Sequence, residues 1–168
     1  AYALASPEND VTLTDLAEFS DVFYIGGTKC GALFGEAVVI PQKGRIPHFF
    51  TIIKQHGALL AKGRIAGIQF GELFTDGLYQ RIGKPAMEAA EQIKAALKKY
   101  GYQLSLDTPT NQIFCIVSND VMKEIAQDVE FGFWEKYDET HSVIRFATSW
   151  ATTMEDTQKL IQILEKNK

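Results

Sequence analysis

The chain switches between helical and strand-like spacing of its apolar residues. Apolar positions 13, 16, 17 and 19 follow a helical period, and Thr12 or Thr14 can cap them, so residues 12–19 read as a short helix. Residues 22–25 form a continuous apolar run of strand length, which predicts a buried strand. Residues 37–40 predict a second strand, ended by Pro41. From Pro47 the period turns helical again, through Phe49, Phe50, Ile52, Ile53, Leu59, Leu60, Ile65, Ile68 and Phe70. Gly57, Gly63 and Gly67 recur within that stretch. A glycine costs a helix about 1 kcal/mol relative to alanine, which is tolerable where another helix or a bound group must come close. Residues 78–100 carry a further helical pattern, with Met87, Ala90, Ile93 and Leu97 on one face. Pro85 starts or kinks that helix and Gly101 stops it.

Beyond Gly101 the period shortens. Residues 102–106 and 112–117 read as strands, 120–127 as a short helix, and 131–134 and 143–148 as strands. Thr152-Thr153-Met154-Glu155 fits a capping box that opens a last helix containing Leu160, Ile161 and Leu164. The second half is thus β-α-β-β-α in outline, a compact α/β layer. The expected organisation is the end of a larger domain over residues 1–45, a helical connection over 46–77, and a small α/β domain over 78–168. Ala1-Tyr2-Ala3-Leu4-Ala5 reads as the tail of a helix without an initiator Met, as in a fragment or a processed N-terminus.

Composition narrows the class. The 168 residues suffice for an ordinary core, and 46% hydrophobic and 23% charged residues are usual for a globular domain. The net charge of −4 and the interleaving of acidic and basic residues argue against a nucleic-acid partner. No apolar run approaches a membrane span, and no signal peptide is visible. Cys30 and Cys115 are far apart in sequence, which suggests neither a zinc site nor a disulfide framework and fits a reducing, cytoplasmic setting. His48, His56 and His141 lack the spacing of a metal site and read as surface or core residues.

One short segment carries candidate chemistry. In Gly26-Gly27-Thr28-Lys29-Cys30-Gly31 a lone lysine follows an apolar run and two glycines, on what reads as a tight turn. A lysine reacts with carbonyl compounds once it sheds its proton, which burial or a nearby cation promotes. A solvated surface lysine is the ordinary alternative. Arg145 interrupts the apolar run Val143-Ile144-Arg145-Phe146. Its planar fork suits a carboxylate, which a ligand or a structural acid could supply; an arginine on the solvent face of an edge strand is the remaining alternative.

The segment from Gly26 to Glu36 resembles the cofactor-lysine segment of the threonine aldolases. These are fold type I, aspartate-aminotransferase-like pyridoxal-phosphate enzymes of the β-eliminating lyase superfamily. The resemblance continues through Lys54-Gln55-His56-Gly57, Ala61-Lys62-Gly63-Arg64, Pro109-Thr110-Asn111-Gln112 and the stretch from Ile144 to Thr152. Cys30 stands where the family usually has Asn. The resemblance implies an α/β chain that forms the C-terminal half of such an enzyme: the end of the large-domain sheet, connecting helices and the small domain. It implies that Lys29 holds pyridoxal phosphate as a Schiff base, with Thr28, Lys62 and Arg64 as further cofactor contacts. Arg145 and Lys54 would bind the amino-acid substrate. The implied reaction is retro-aldol cleavage of L-threonine or L-allo-threonine to glycine and acetaldehyde, in a homodimer or homotetramer. The pyridine-nitrogen partner and the general base would lie in a missing N-terminal half, leaving the fragment alone inactive. Two other readings are another lyase or an aminotransferase on the same fold, and a catalytically silent structural or dimerising domain.

Overall fold

The computed structural model describes residues 2–168. Thr12 caps helix α1 (Leu13–Phe19) in a reciprocal capping box with Asp15, and its side chain accepts from the Asp15 amide. Strand β1 (Phe23–Gly26) pairs antiparallel with β2 (Glu36–Val39), Tyr24 standing opposite Val38 and Ile25 opposite Ala37. The helical stretch after Pro47 is broken. Helix α2 (Phe49–Gln55) and helix α3 (Arg64–Leu73) are separate, because Gly57 takes a left-handed conformation (φ 68°) that ends the first. Gly67 lies inside α3 with nothing within 4 Å of where its Cβ would stand, so no close approach within this chain explains it.

A short helix α4 (Leu78–Arg81) leads into the long helix α5 (Lys84–Tyr100), which carries Pro85 in its first turn and ends on left-handed Gly101. Strands β3 (Gln103–Leu106) and β4 (Gln112–Ser118) follow, then helix α6 (Asn119–Ile125), strands β5 (Gly132–Lys136) and β6 (His141–Ala147), and helix α7 (Met154–Lys166). The four strands form one antiparallel sheet in the order β3-β4-β6-β5. The capping box at the last helix lies one residue later than the sequence pattern predicts. Thr153 and Asp156 form it, while Thr152 accepts from the Ser149 amide at 2.8 Å. Similarly, Tyr2–Ala5 is a single 3-10 turn rather than the tail of an α-helix; Ala1 lies outside the described residues.

Two cores result. In the first, Ile113, Cys115 and Val117 of β4 and Ile144 and Phe146 of β6 share one face of the sheet with Ala90, Ile93 and Leu97 of α5 and Leu164 of α7. Each fully buried Ile or Leu there contributes about 1.5–3 kcal/mol relative to an exposed position. Strand alternation places Arg145 on the opposite face, across from Phe114 on β4 and Gly132 on β5. The second core joins Tyr2, Ile25, Cys30, Leu73, Tyr79, Ala86 and Met87, so it draws on all three stretches of the chain. Strand β1 proves only half covered. Phe23 and Ile25 face this second core, while Tyr24 is 72% exposed.

Candidate active site

The lysine of the glycine turn is fixed by its backbone. Thr28–Cys30 forms one 3-10 turn, closed by Cys30 N–H to the Gly27 carbonyl at 2.9 Å and by Ala32 N–H to the same oxygen at 3.1 Å. Gly31 then takes φ 93°, in the left-handed region that glycine tolerates best. The Tyr79 hydroxyl donates to the Gly26 carbonyl at 3.1 Å, just before the turn. The Tyr2 hydroxyl donates to the Lys29 carbonyl itself. Burial raises the Tyr2 phenol and pushes that of Tyr79 up to about 12, so both remain neutral donors at ordinary pH. Lys29 and Thr28 are themselves exposed.

The same tyrosine reaches the second candidate segment. The Trp150 amide donates to the Tyr2 oxygen at 3.2 Å, and the Trp150 ring lies against Gly31. Trp150 belongs to the loop that follows β6, the strand of Arg145. That loop is anchored by Thr148, whose hydroxyl donates to the Ala86 carbonyl at 2.6 Å, and by Asn111, whose amide donates to the Thr148 carbonyl at 2.6 Å. Tyr2 and Trp150 therefore tie the lysine turn to the loop after the Arg145 strand.

Arg145 is half-buried, and its guanidinium meets neutral groups. One guanidinium nitrogen, Nη1, donates to Gln112 Oε1 at 3.2 Å, and Nε is buried without a hydrogen-bond partner. The guanidinium carbon lies 5.6 Å from the centroid of the Trp134 ring, which meets Phe114 edge-on. No carboxylate pairs with it among the described residues. Of the readings open from sequence, the structural acid is absent among the described residues, and the half-burial of Arg145 on a strand between two others does not match a solvent-facing arginine of an edge strand.

Lys54 sits in the last turn of α2, Lys62 in the turn before α3, and Arg64 at the first position of α3. All three are exposed, and none makes an ion pair or a side-chain hydrogen bond among the described residues, nor does Lys29 or Thr28. No hydrogen bond or ion pair joins them to Lys29 or Arg145 among the described residues. Helix α3 does dock beside the lysine turn. Gln69 Oε1 accepts from the Leu33 amide at 2.6 Å, and Gln69 Nε2 donates to the Phe34 carbonyl at 3.3 Å. Sequence reasoning missed Tyr2 and Tyr79, which carry no motif, and gave no role to Trp150, although it lies within a segment that carries the resemblance. It also missed Gly132, although a lone glycine inside a strand signals a close approach.

Chemically, this chain offers a fixed turn with an exposed amine, three uncommitted cations and a guanidinium without a counter-charge. By residue type, rather than by placement, these groups are the kinds that pyridoxal phosphate bearing a carboxylate substrate requires: an amine for the carbonyl carbon, cations and a hydroxyl for a phosphate, and a fork for a carboxylate. Among the described residues no three His, Cys, Asp or Glu side chains come together as a metal site, and no helix is long and apolar enough to cross a membrane.

No family model matches the chain, and no curated protein matches it. Solved structures do. A Leishmania major threonine aldolase superposes with a TM-score of 0.92 and 37% identity, covering 97% of this chain and 48% of that one. A serine palmitoyltransferase from Sphingomonas wittichii gives a TM-score of 0.67 at 11% identity, covering 98% of this chain and 44% of that one. A serine palmitoyltransferase from S. paucimobilis, whose structure holds a PLP-myriocin aldimine, gives 0.58 at 11% identity over 88% of this chain and 39% of that one. The two transferases show the fold alone. The chain spans about half the length of the aldolase it matches.

Proposed function

We propose that this chain, which resembles a threonine aldolase and has the fold of the C-terminal part of a fold type I pyridoxal-phosphate enzyme, supplies part of an active site that cleaves L-threonine or L-allo-threonine to glycine and acetaldehyde. The observation that carries the reading is Arg145, a half-buried guanidinium with no acid paired to it among the described residues. The likeness to a threonine aldolase favours this reaction among those the fold hosts.

In this reading Lys29 holds the cofactor's carbonyl carbon through Nζ, and the backbone bonds around Gly27 and Tyr2 keep that amine in place. Thr28, Lys62 and Arg64 contact the cofactor, the two cations from the same subunit or a neighbouring one in a homodimer or homotetramer. Arg145, with Lys54, grips the substrate carboxylate and so sets which bond at Cα stands ready to break. Bound pyridoxal phosphate supplies the electron sink for the pair released from the Cα–Cβ bond. The base for the β-hydroxyl proton and the partner of the pyridine nitrogen come from the remainder of a longer subunit.

The test uses the full-length protein that carries this chain. Threonine should give glycine and acetaldehyde in equal amounts; ammonia with a keto acid would overturn the reaction. Lys29→Ala should abolish turnover and the visible absorbance of bound cofactor. Arg145→Lys should raise KM roughly 10- to 100-fold, the scale of one bidentate charge-assisted contact.

A further inference from the structure

The contacts recorded for the Arg145 guanidinium among the described residues are all with groups that carry no charge. Gln112 accepts from Nη1 at 3.2 Å. Trp134 offers its ring face at 5.6 Å. Gly132, directly opposite on β5, leaves room that a side chain would fill: a Cβ there would stand 3.3 Å from Nε and 3.4 Å from Nη2. Gln112 reaches the guanidinium diagonally, because Phe114 is the residue opposite Arg145 on β4. A half-buried guanidinium is normally matched by an acid, since desolvating an unpaired charge is costly. A glutamate at 112 would have the same length as Gln112 and an oxygen in the same place. The sequence instead sets a neutral acceptor there.

We propose that Gln112 is a positioning residue for Arg145, holding its guanidinium by a neutral hydrogen bond so that the positive charge is left for the carboxylate of an amino-acid ligand. The amide fixes the rotamer through Nη1 without neutralising the fork. Gly132 completes the arrangement by letting the Nε–Nη2 edge lie flat on β5. This inference rests on the reading of Arg145 as the carboxylate anchor.

Binding to the full-length holoenzyme tests it, read by the absorbance change of bound cofactor. Two ligands are compared: glycine, and methylamine, which has the amine but no carboxylate. Gln112→Glu places an acid beside Arg145 at nearly unchanged volume. It should weaken glycine roughly tenfold or more, the scale of a charge-assisted hydrogen bond. Methylamine binding and the thermal midpoint should not fall. A structural role alone would move both ligands together, and that result overturns the proposal. Arg145→Ala separates the two levels. If it weakens glycine while Gln112→Glu does not, the role of Gln112 fails and the anchor stands. If Arg145→Ala leaves glycine binding unchanged, both fail. Should Gln112→Glu not fold, Gln112→Met decides: selective weakening of glycine supports the proposal, and an equal or absent effect on the two ligands overturns it.

Discussion

Gly27 shows how a single missing methyl group can set a reactive side chain. Its amide plane closes the turn that carries Lys29, and a Cβ there would stand 2.9 Å from the Ala32 Cβ and 3.0 Å from Phe70 Cζ. The Phe70 ring can turn aside, but Ala32 is tied to the same turn through its amide bond to the Gly27 carbonyl, so relieving that contact disturbs the turn. Gly27→Ala should therefore lower stability by about 1–3 kcal/mol through overpacking. It should also lower cofactor occupancy, because the turn itself must move. Thermal unfolding and the visible absorbance of the full-length protein check the two effects separately. The glycine pair before Lys29 was legible as a turn, because glycine signals tight backbone locally. That Gly27 is the one pressed from outside was not legible, since Phe70 reaches it from α3. The same distinction holds for Arg145. Its oddness within an apolar strand could be read directly, whereas its neighbours Gln112 and Gly132 depend on strand register, which no local pattern encodes.

At the scale of elements, the strands and helices of the second half were legible because each has a local stop signal and one clear period. Gly101 ends α5, and Thr153 starts α7 one residue from the expected place because Thr152-Thr153 offers two caps. The sheet order was not legible. Pairing β4 with β6 brings Cys115 opposite Ile144 at the centre of the core. Burial there pushes the Cys115 thiol up to about 12 from an ordinary value of 9.0. A raised folded-state value means that the unfolded chain ionises first. Stability linked to this thiol is full below pH 9, and falls as pH rises from 9 toward 12. Cys115→Ala should flatten that alkaline fall while lowering stability at neutral pH, because it leaves a small cavity. Thermal midpoints from pH 7 to pH 11 measure both. The β5–β6 hairpin has an opposite, acid-side sensitivity. Asp138 accepts from the Thr140 amide at 2.7 Å and the His141 amide at 2.8 Å, and the Thr140 bond leads in lowering its carboxyl to about 2. Its contribution is present above the ordinary value of 3.8 and is lost as pH falls through 2. Asp138→Ala should loosen the hairpin at neutral pH, seen as faster amide exchange at Thr140 and His141.

For the whole molecule, β1 carries the sharpest contrast between pattern and surroundings. Phe23-Tyr24-Ile25 is apolar without alternation, the mark of a strand covered on both faces. Among the described residues only the face of Phe23, Ile25, Ala37 and Val39 is packed, against the second core. On the other face Tyr24 and Val38 stand opposite each other, 72% and 56% exposed. A two-stranded sheet with an open apolar face is marginal in water and invites pairing with another surface. The longer subunit proposed above would have further chain with which to cover that face. The two situations give opposite signs for one double substitution. In residues 1–168 expressed alone, Tyr24→Lys with Val38→Lys should reduce self-association, shifting light-scattering mass toward the 18.7 kDa of a single chain. In the full-length protein the same pair should be destabilising, by about 1.5–3 kcal/mol for each apolar side chain lost from a buried site. A full-length protein that tolerates both lysines without loss of thermal stability would show that this face stays open, and the run of apolar residues in β1 would then need another cause.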